Sequence, residues 1–116
     1  MRKITQQTVN ALFSNGDMAN NNTAVSGGCV YLHGNQIARI IDGNKLQVSF
    51  CGWVTNTTRE RINGILSYAT NGDIGVGIKK GEPEIRHFNG DKEIIDSCDW
   101  YTIDMLKYWA IARFNK

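Results

Sequence analysis

The sequence is short of proline, of paired cysteines and of long apolar runs. One proline stands against twelve glycines among 116 residues, which indicates tight turns and glycine-interrupted strands rather than a rigid linker. No segment approaches the apolar length of a membrane span, and the basic N-terminus is not followed by the apolar run of a signal peptide. We therefore expect a soluble protein that acts inside a cell and has no membrane partner.

The cysteines and histidines do not form a recognisable site in the sequence. Cys29, Cys51 and Cys98 are odd in number and far apart, so reduced thiols in a cytoplasm are expected rather than a disulfide framework. His33 and His87 have no second ligand at metal-binding spacing. The sequence therefore predicts no metal site and offers no nucleophilic triad.

Charge and glycine spacing exclude several further classes. A net charge of +2 is too small to indicate a polyanion partner and too positive for a carboxylate-based DNA mimic. The glycines of residues 72–77 alternate with apolar residues, which is typical of a strand and not of a dinucleotide fingerprint. Asp96 and Asp99 precede a predicted last helix, whose dipole accounts for them. We expect neither an enzyme nor a cofactor.

The length and the apolar fraction of 41% predict one small α+β domain, residues 1–116, with an antiparallel sheet and helices packed on one face. Apolar spacing predicts a first helix over 5–14, and the polar residues 17–22 predict a connector. A short strand is expected at 23–26, and a three-stranded meander at 29–51.

Two Gly-Asn turns set the predicted register of the meander. With turns at 34–35 and 43–44, Val30 faces Arg39, and Arg39 faces Val48. Arg39 then lies on the apolar face. That face is predicted to contain Val30, Leu32, Ile37, Ile41, Leu46, Val48 and Phe50. The opposite face is predicted to contain His33, Gln36, Ala38, Gln47 and Ser49, with Tyr31 and Ile40 among them.

The second half of the chain predicts a helix, a strand, a hairpin and a final helix. Thr57 and Glu60 have the spacing of a capping box, and the helix that follows should end near Asn71 and Gly72. A strand is expected at 74–78, and a hairpin is expected from 84–88 and 92–95. Apolar spacing over 101–114 predicts the last helix.

Two features are candidates for binding. The first is the start of the second helix, where Thr57, Thr58, Arg59 and Arg61 offer hydroxyls and positive charge to a phosphate or an acidic side chain. The alternative is that Thr57 and Glu60 already satisfy the free N–H groups. The second is Arg39, which either extends to an edge of the apolar face or marks an opening for a ligand or partner.

Aromatic residues near the C-terminus suggest a third surface. Trp100, Tyr101, Tyr108 and Trp109 cannot all point to the core. Exposed Trp, Tyr and Arg are typical anchors of protein interfaces, and the same side chains stack on nucleic-acid bases. Packing in the core or at its edge is the alternative reading.

Two strings of the sequence resemble a family of short proteins of tailed bacteriophages. They are L-H-G-N at residues 32–35 and G-W-x-T-x-T-T-x-E-R-x-N-G at residues 52–64, and the resemblance covers about the first seventy residues. From Asp73 onward it fades. The resemblance implies a phage gene product in the cytoplasm of an infected bacterium, and it carries no activity with it.

Two functions follow as hypotheses from this setting. The first is a non-enzymatic phage protein that binds and inhibits or modulates a host protein complex, including defence machinery such as a CRISPR–Cas effector. The second is a module that sequesters a nucleotide or binds nucleic acid through the start of the second helix. Neither the target nor the oligomeric state follows from the residues.

Overall fold

A computed structural model describes residues 3–108, in which two helices, nine strands and a short helical turn at 106–108 form an α+β fold. This confirms the predicted fold class. The helices are α1 (Lys3–Phe13) and α2 (Asn56–Thr70). The strands are β1 (Met18–Asn20), β2 (Thr23–Ser26), β3 (Cys29–Leu32), β4 (Asn35–Ile41), β5 (Lys45–Val48), β6 (Ile74–Lys79), β7 (Glu82–His87), β8 (Lys92–Ile94) and β9 (Tyr101–Asp104).

The described strands form two antiparallel sheets. The larger has the order β1-β2-β3-β4-β5-β9, and the smaller has the order β6-β7-β8. Helix α1 packs beside β1, β2 and β3, and α2 packs against α1, β4 and β6. The core therefore lies between the helices and the inner faces of the sheets. Its most buried large apolar members are Phe50, Ile37, Leu46, Ile62, Ile65, Leu66, Ile85 and Met105.

The predicted connector at 17–22 is wrong, because it contains strand β1 and the turn that joins it to β2. Asn20 pairs with Thr23, and Asn21 adopts a positive φ of 56° in the turn between them. Asparagine tolerates this left-handed conformation better than most residues do, because its side chain bonds locally to the backbone. A run of three asparagines thus closes a hairpin here.

Both turns of the meander differ from the prediction. The first lies one residue earlier, which changes the pairing beside it by two residues, and the second is one residue longer, which changes the pairing by one. The first is His33-Gly34, with φ of 51° and 80°, so that Leu32 pairs with Asn35. A two-residue turn with two positive φ angles matches the twist of a hairpin. The second connection is the three-residue loop 42–44, and Ile41 therefore pairs with Lys45.

The one-residue shift between β4 and β5 moves Arg39 to the outer face of the large sheet, where it pairs with Gln47 instead of Val48. Its predicted position on the apolar face is wrong, because a shift of one residue exchanges the two faces of a strand. For the same reason Ile41 lies on the outer side and is only partly buried. The other six members of the predicted apolar face are buried.

A β-bulge explains why the remaining apolar residues keep their predicted side. Tyr31 pairs with Gln36, whereas Val30 pairs with Ala38, so Ile37 is the extra residue. A bulge places two residues opposite one and re-aims their side chains. Ile37 and Ala38 are consequently both buried, and the predicted outward position of Ala38 is wrong. Ser49, also expected to point outward, is buried as well, at 2% exposure.

The N-cap of helix α2 lies two residues before the predicted one. Thr55 is the N-cap, and its side chain accepts a hydrogen bond from the Thr58 backbone N–H at 3.2 Å. The predicted capping box of Thr57 and Glu60 is therefore wrong, because Thr55 already fills that role. The predicted end of the helix is confirmed, since Asn71 has a left-handed conformation and its N–H donates to the Ser67 carbonyl.

The predicted helix over 101–114 is wrong for residues 101–104, whereas residues 106–108 are helical as predicted. Residues 101–104 form β9, and Ile103 pairs with Leu46 of β5. Alternation explains the difference, since Ile103 and Met105 are buried while Thr102 and Asp104 are exposed. This alternation is that of a strand, and residues 101–104 pair as one with the edge of the large sheet at β5. Residues 109–114 lie outside the described residues.

The later hairpin is confirmed, with β7 and β8 joined around residues 88–91. The strand predicted at 74–78 is confirmed as β6. The pairing of β6 with β7 was not predicted. It depends on the turn at Lys80 and Gly81, both of which have a positive φ.

A buried arginine joins the two helices to the large sheet. Arg61 of α2 is 2% exposed, and it donates to Thr5 of α1 at 2.9 Å and to Thr23 of β2 at 3.2 Å. Its terminal nitrogen also contacts the Glu60 carboxylate at 2.5 Å. A buried guanidinium is tolerated only with such partners. Arg61 therefore fixes the packing of α1, α2 and β2.

We predict that Arg61→Ala lowers the free energy of unfolding by about 3 kcal/mol, because it leaves a cavity beside two buried threonines and removes their hydrogen-bond donor. Urea denaturation monitored by circular dichroism measures the loss. Arg59→Ala, on the same helix but partly exposed, is the control and should change stability by about 0.5 kcal/mol or less. Equal stability of the two variants would contradict the role of Arg61.

Candidate binding surfaces around the start of helix α2

The first turn of α2 borders three clefts, and Thr57 lines each of them. The largest, the arginine cleft, has a volume of about 450 Å³ and lies between α2 and the β6–β7 hairpin. A second, of about 260 Å³, lies between the start of α2 and the β3–β4 turn and is called the Trp53 cleft. The third, of about 330 Å³, lies between α1 and the β1–β2 turn. The predicted region is thus bordered by three indentations of the described surface.

The arginine cleft carries two guanidinium groups from different elements. Arg59 comes from α2 and Arg86 comes from β7. Within residues 3–108 the Arg59 side chain makes no hydrogen bond or ion pair, whereas Arg86 is bound to Glu84. The residues that line this cleft are Asn56, Thr57, Arg59, Glu60, Asn63, Gly64, Val76 and Arg86.

Arg86 is held flat against strand β6 by a glycine and a buried carboxylate. A Cβ at Gly77 would lie 2.1 Å from the Arg86 Cζ, so only glycine leaves room for this guanidinium. The Arg86 Nε donates to the Glu84 Oε1 at 2.7 Å, and the Glu84 side chain is 4% exposed. That hydrogen bond lowers the pKa of Glu84, which keeps the carboxylate charged. Arg86 is therefore a positioned cation.

Asn63 fixes the distance between α2 and the small sheet. Its Oδ1 accepts from the Val76 N–H at 2.7 Å, and its Nδ2 donates to the Val76 carbonyl at 2.9 Å. Strand β6 is an edge strand, and Asn63 satisfies edge groups that would otherwise be unpaired. Gly75 permits this contact, since a Cβ there would lie 3.0 Å from the Asn63 Oδ1. These two hydrogen bonds hold α2 and β6, which both line the arginine cleft, at a fixed separation.

The predicted residues of the helix start are placed in different ways. Thr57 and Arg59 line the arginine cleft. Thr58 is 1% exposed, and its hydroxyl lies 3.0 Å from that of Thr55. Arg61 points into the molecule, as described above. The structure therefore brings Thr57 and Arg59 together at the surface and uses Thr58 and Arg61 in packing.

The Trp53 cleft is formed by a tight turn between β5 and α2. Cys51 and Gly52 have φ of 53° and 79°, and the Trp53 N–H donates to the Phe50 carbonyl at 2.8 Å. The turn buries Phe50 and leaves Trp53 58% exposed. The residues that line this cleft are Leu32, His33, Asn35, Ile37, Trp53, Thr55, Thr57 and Thr58. Sequence reasoning missed Trp53 as a surface residue, although it lies inside the second phage-like string.

Arg39 and Trp100, predicted separately, lie together on the outer face of the large sheet. The Arg39 Cζ is 4.0 Å from the centre of the Trp100 ring. The Arg39 Nε donates to the Gln47 Oε1 at 2.7 Å, and Gln47 donates in turn to the Thr102 hydroxyl at 2.9 Å. Such a cation–π contact contributes about 0.5–1 kcal/mol at an exposed site. Arg39 and Trp100 thus bind each other on the outer face of the sheet, and neither lines any of the three clefts described above.

Tyr101 and Tyr108 are partly buried against the core, and Trp109 lies outside the described residues. The Tyr108 hydroxyl donates to the Asp73 Oδ2 at 2.9 Å. Burial, followed by the hydrogen bond to Asp73 and its charge, raises the pKa of Tyr108 to about 12. Burial also raises the pKa of Tyr101, and the charge of Glu93 adds to it. Both tyrosine side chains therefore pack against the core instead of forming an exposed binding surface.

We predict that Tyr108 ionises near pH 12, in contrast to about 10 for a free tyrosine. Because its pKa is raised on folding, the stabilisation it provides is complete below about pH 10 and is lost as the pH rises through about 12. Tyrosinate absorbance of the wild type minus that of Tyr108→Phe measures the value. Asp73→Asn should lower it only in part, since burial remains. A difference titration near pH 10 would contradict the assignment.

No helix within residues 3–108 is long and apolar enough to cross a membrane. Comparison with known proteins finds no matching curated protein and no matching solved structure. The sequence does match one family, described as Kyanoviridae Gp96 protein, over residues 1–107. The match extends well beyond the first seventy residues and includes the small sheet and β9, so the expectation that the likeness fades from Asp73 onward is wrong. The chain belongs to the Kyanoviridae Gp96 protein family, a family of phage proteins.

Proposed function

We propose that this phage protein is a non-enzymatic accessory protein that binds a host protein complex and inhibits or modulates it in the cytoplasm of the infected cell. Host defence machinery, such as a CRISPR–Cas effector, is the class of target to test first. The observation that carries the proposal is Trp53, which is 58% exposed beside an apolar cleft of about 260 Å³.

The Trp53 cleft has the composition of a protein-binding surface. Leu32 and Ile37 provide an apolar floor, and His33 and Asn35 add polar groups. An apolar centre with polar surroundings is the usual arrangement of a protein interface, and tryptophan is enriched among the residues that dominate binding energy. Trp53 therefore fits the role of an anchor for a partner.

The turn that carries Trp53 is fixed before any partner binds. Its hydrogen bond to Phe50, the burial of Phe50 and the N-cap at Thr55 restrain both ends of the segment. A preorganised anchor loses little conformational entropy on association. This supports binding through the existing shape of the cleft rather than through folding on contact.

We predict that Trp53→Ala lowers recovery of the specific host partner at least about tenfold, because one interface tryptophan commonly contributes 2 kcal/mol or more, roughly a thirtyfold change in affinity. Tagged protein expressed during infection is captured, and bound proteins are quantified by mass spectrometry. The partner is then purified and mixed with the chain to test for a stable complex by gel filtration.

Phe88→Ala is the matched control, since Phe88 is 86% exposed and lies at the β7–β8 turn, away from the residues that line the Trp53 cleft. It should retain the partner at the wild-type level. Recovery of only ribosomal and chaperone background with the wild type, or equal recovery with Trp53→Ala, would count against the proposal.

A second candidate function is the sequestration of a nucleotide or the binding of a nucleic acid. It is favoured by the two arginines of the arginine cleft, one of which has no partner within residues 3–108. Apart from Thr57, the arginine cleft and the Trp53 cleft share no lining residue, so the two functions can be tested separately.

A further inference from the structure

We propose that the arginine cleft binds a phosphoryl group, with Arg59 of α2 and Arg86 of β7 as its ligands. The inference rests on the second candidate function and is independent of protein binding at Trp53. The phosphoryl group has two natural sources, a free nucleotide and the backbone of a nucleic-acid strand. Both present the same oxygen chemistry to a pair of guanidinium groups.

Arg86 is oriented as a ligand before anything binds. The Arg86 Nε donates a hydrogen bond to buried Glu84, and Gly77 allows the guanidinium to lie against β6. The two terminal nitrogens make no hydrogen bond to a residue within 3–108, and the side chain is 48% exposed. An arginine whose inner edge is fixed by a carboxylate keeps its terminal N–H groups for two oxygens of a phosphoryl group.

Arg59 adds a charge that the cleft does not neutralise. Glu84 offsets Arg86, and the Glu60 carboxylate that borders the cleft is bonded to Thr5 and Arg61. Arg59 has no ion pair within residues 3–108. Of the charged groups named here, three arginines are positive and two glutamates are negative, so their net charge is +1. This net charge suits an anion and disfavours a cation.

The dimensions of the cleft suit a nucleotide rather than a bare ion. Its volume of about 450 Å³ lies within the range of about 300–1,000 Å³ that is typical of small-molecule sites. Gly64 and Val76 form an apolar part of the lining, against which a ribose or base can rest. The Asn63 contacts with Val76 hold this lining in place.

The test titrates isotope-labelled protein separately with AMP, with ATP and with a short single-stranded oligothymidylate, and follows backbone amide signals by NMR. Signals of residues 56–64 and 75–86 should shift in a saturable way with at least one probe. Binding of AMP or ATP alone identifies a free nucleotide as the source, and binding of the oligothymidylate alone identifies a nucleic-acid backbone. Absence of shifts with all three probes would overturn the proposal.

Arg59→Gln should raise the dissociation constant of the bound probe about tenfold, since a charge-assisted contact is lost. Lys80→Gln is the matched control. It removes one positive charge from the exposed β6–β7 turn, outside the lining of the cleft, and should leave binding within about twofold of the wild type. Equal weakening by both variants would show attraction by overall charge only and would overturn the site.

Gly77→Ala tests the position of Arg86 without changing any charge. The added Cβ would occupy the place of the Arg86 guanidinium, whose flexible side chain must then move. We expect probe binding to weaken about tenfold while circular dichroism still shows a folded protein. Arg86→Gln should give a similar loss. A folded Gly77→Ala variant that binds like the wild type would overturn the role of Arg86, and recovery of the host protein partner is unaffected in either case.

Discussion

The fold depends on two polar side chains of helix α2 that reach opposite sheets. Arg61 bonds to α1 and to β2 of the large sheet, and Asn63 bonds to the Val76 backbone of the small sheet. Apolar contacts alone leave the relative rotation of packed elements weakly defined, because the hydrophobic effect has no direction. Hydrogen bonds to buried partners are directional and costly to lose. These two residues therefore fix how the sheets stand on either side of the helix.

This constraint also creates the candidate site. The arginine cleft is bounded by α2 on one side and by β6 and β7 on the other, so its walls keep their distance only while Asn63 holds Val76. Gly75 and Gly77 leave one face of β6 free of side chains, and Asn63 and Arg86 occupy that space. A strand with this much glycine packs poorly by itself. The contacts of Asn63 and Arg86 compensate for it and at the same time bring a cation to the cleft.

Local patterns were sufficient for most elements and insufficient for register. Helix α2, strand β2 and the β7–β8 hairpin follow from capping residues, apolar spacing and turn residues that lie within a few positions of one another. The register of the meander depends on whether His33 or Asn35 takes the left-handed position beside Gly34, and both residue types tolerate it. The bulge at Ile37 then restores most of the apolar face. Six of the seven residues predicted on that face are therefore buried, although the position predicted for Arg39 is wrong.

The segment 101–108 shows a different limit. Tyr101, Ile103 and Met105 alternate, while Ile103 and Leu106 also fit a helical spacing, so the sequence supports both structures. Residues 101–104 form a strand because β5, more than fifty residues earlier in the chain, offers an open edge with which they pair. Tertiary pairing of this kind overrides local preference, and no window of neighbouring residues contains it.

The two arginines of the arginine cleft also differ in whether the sequence predicts them. Arg59 could be predicted as a binding residue, because its neighbours in sequence begin a helix. Arg86 could not, since its role arises from Gly77 across the β6–β7 pair and from Glu84 on the same strand. Yet the sequence contains a signal, because alternate glycines in a strand leave a bare face that a long side chain of the paired strand can cover. Once β6 and β7 are recognised as a hairpin, Arg86 is the long side chain beside that face, and a buried Glu84 next to it is the partner that a positioned guanidinium requires.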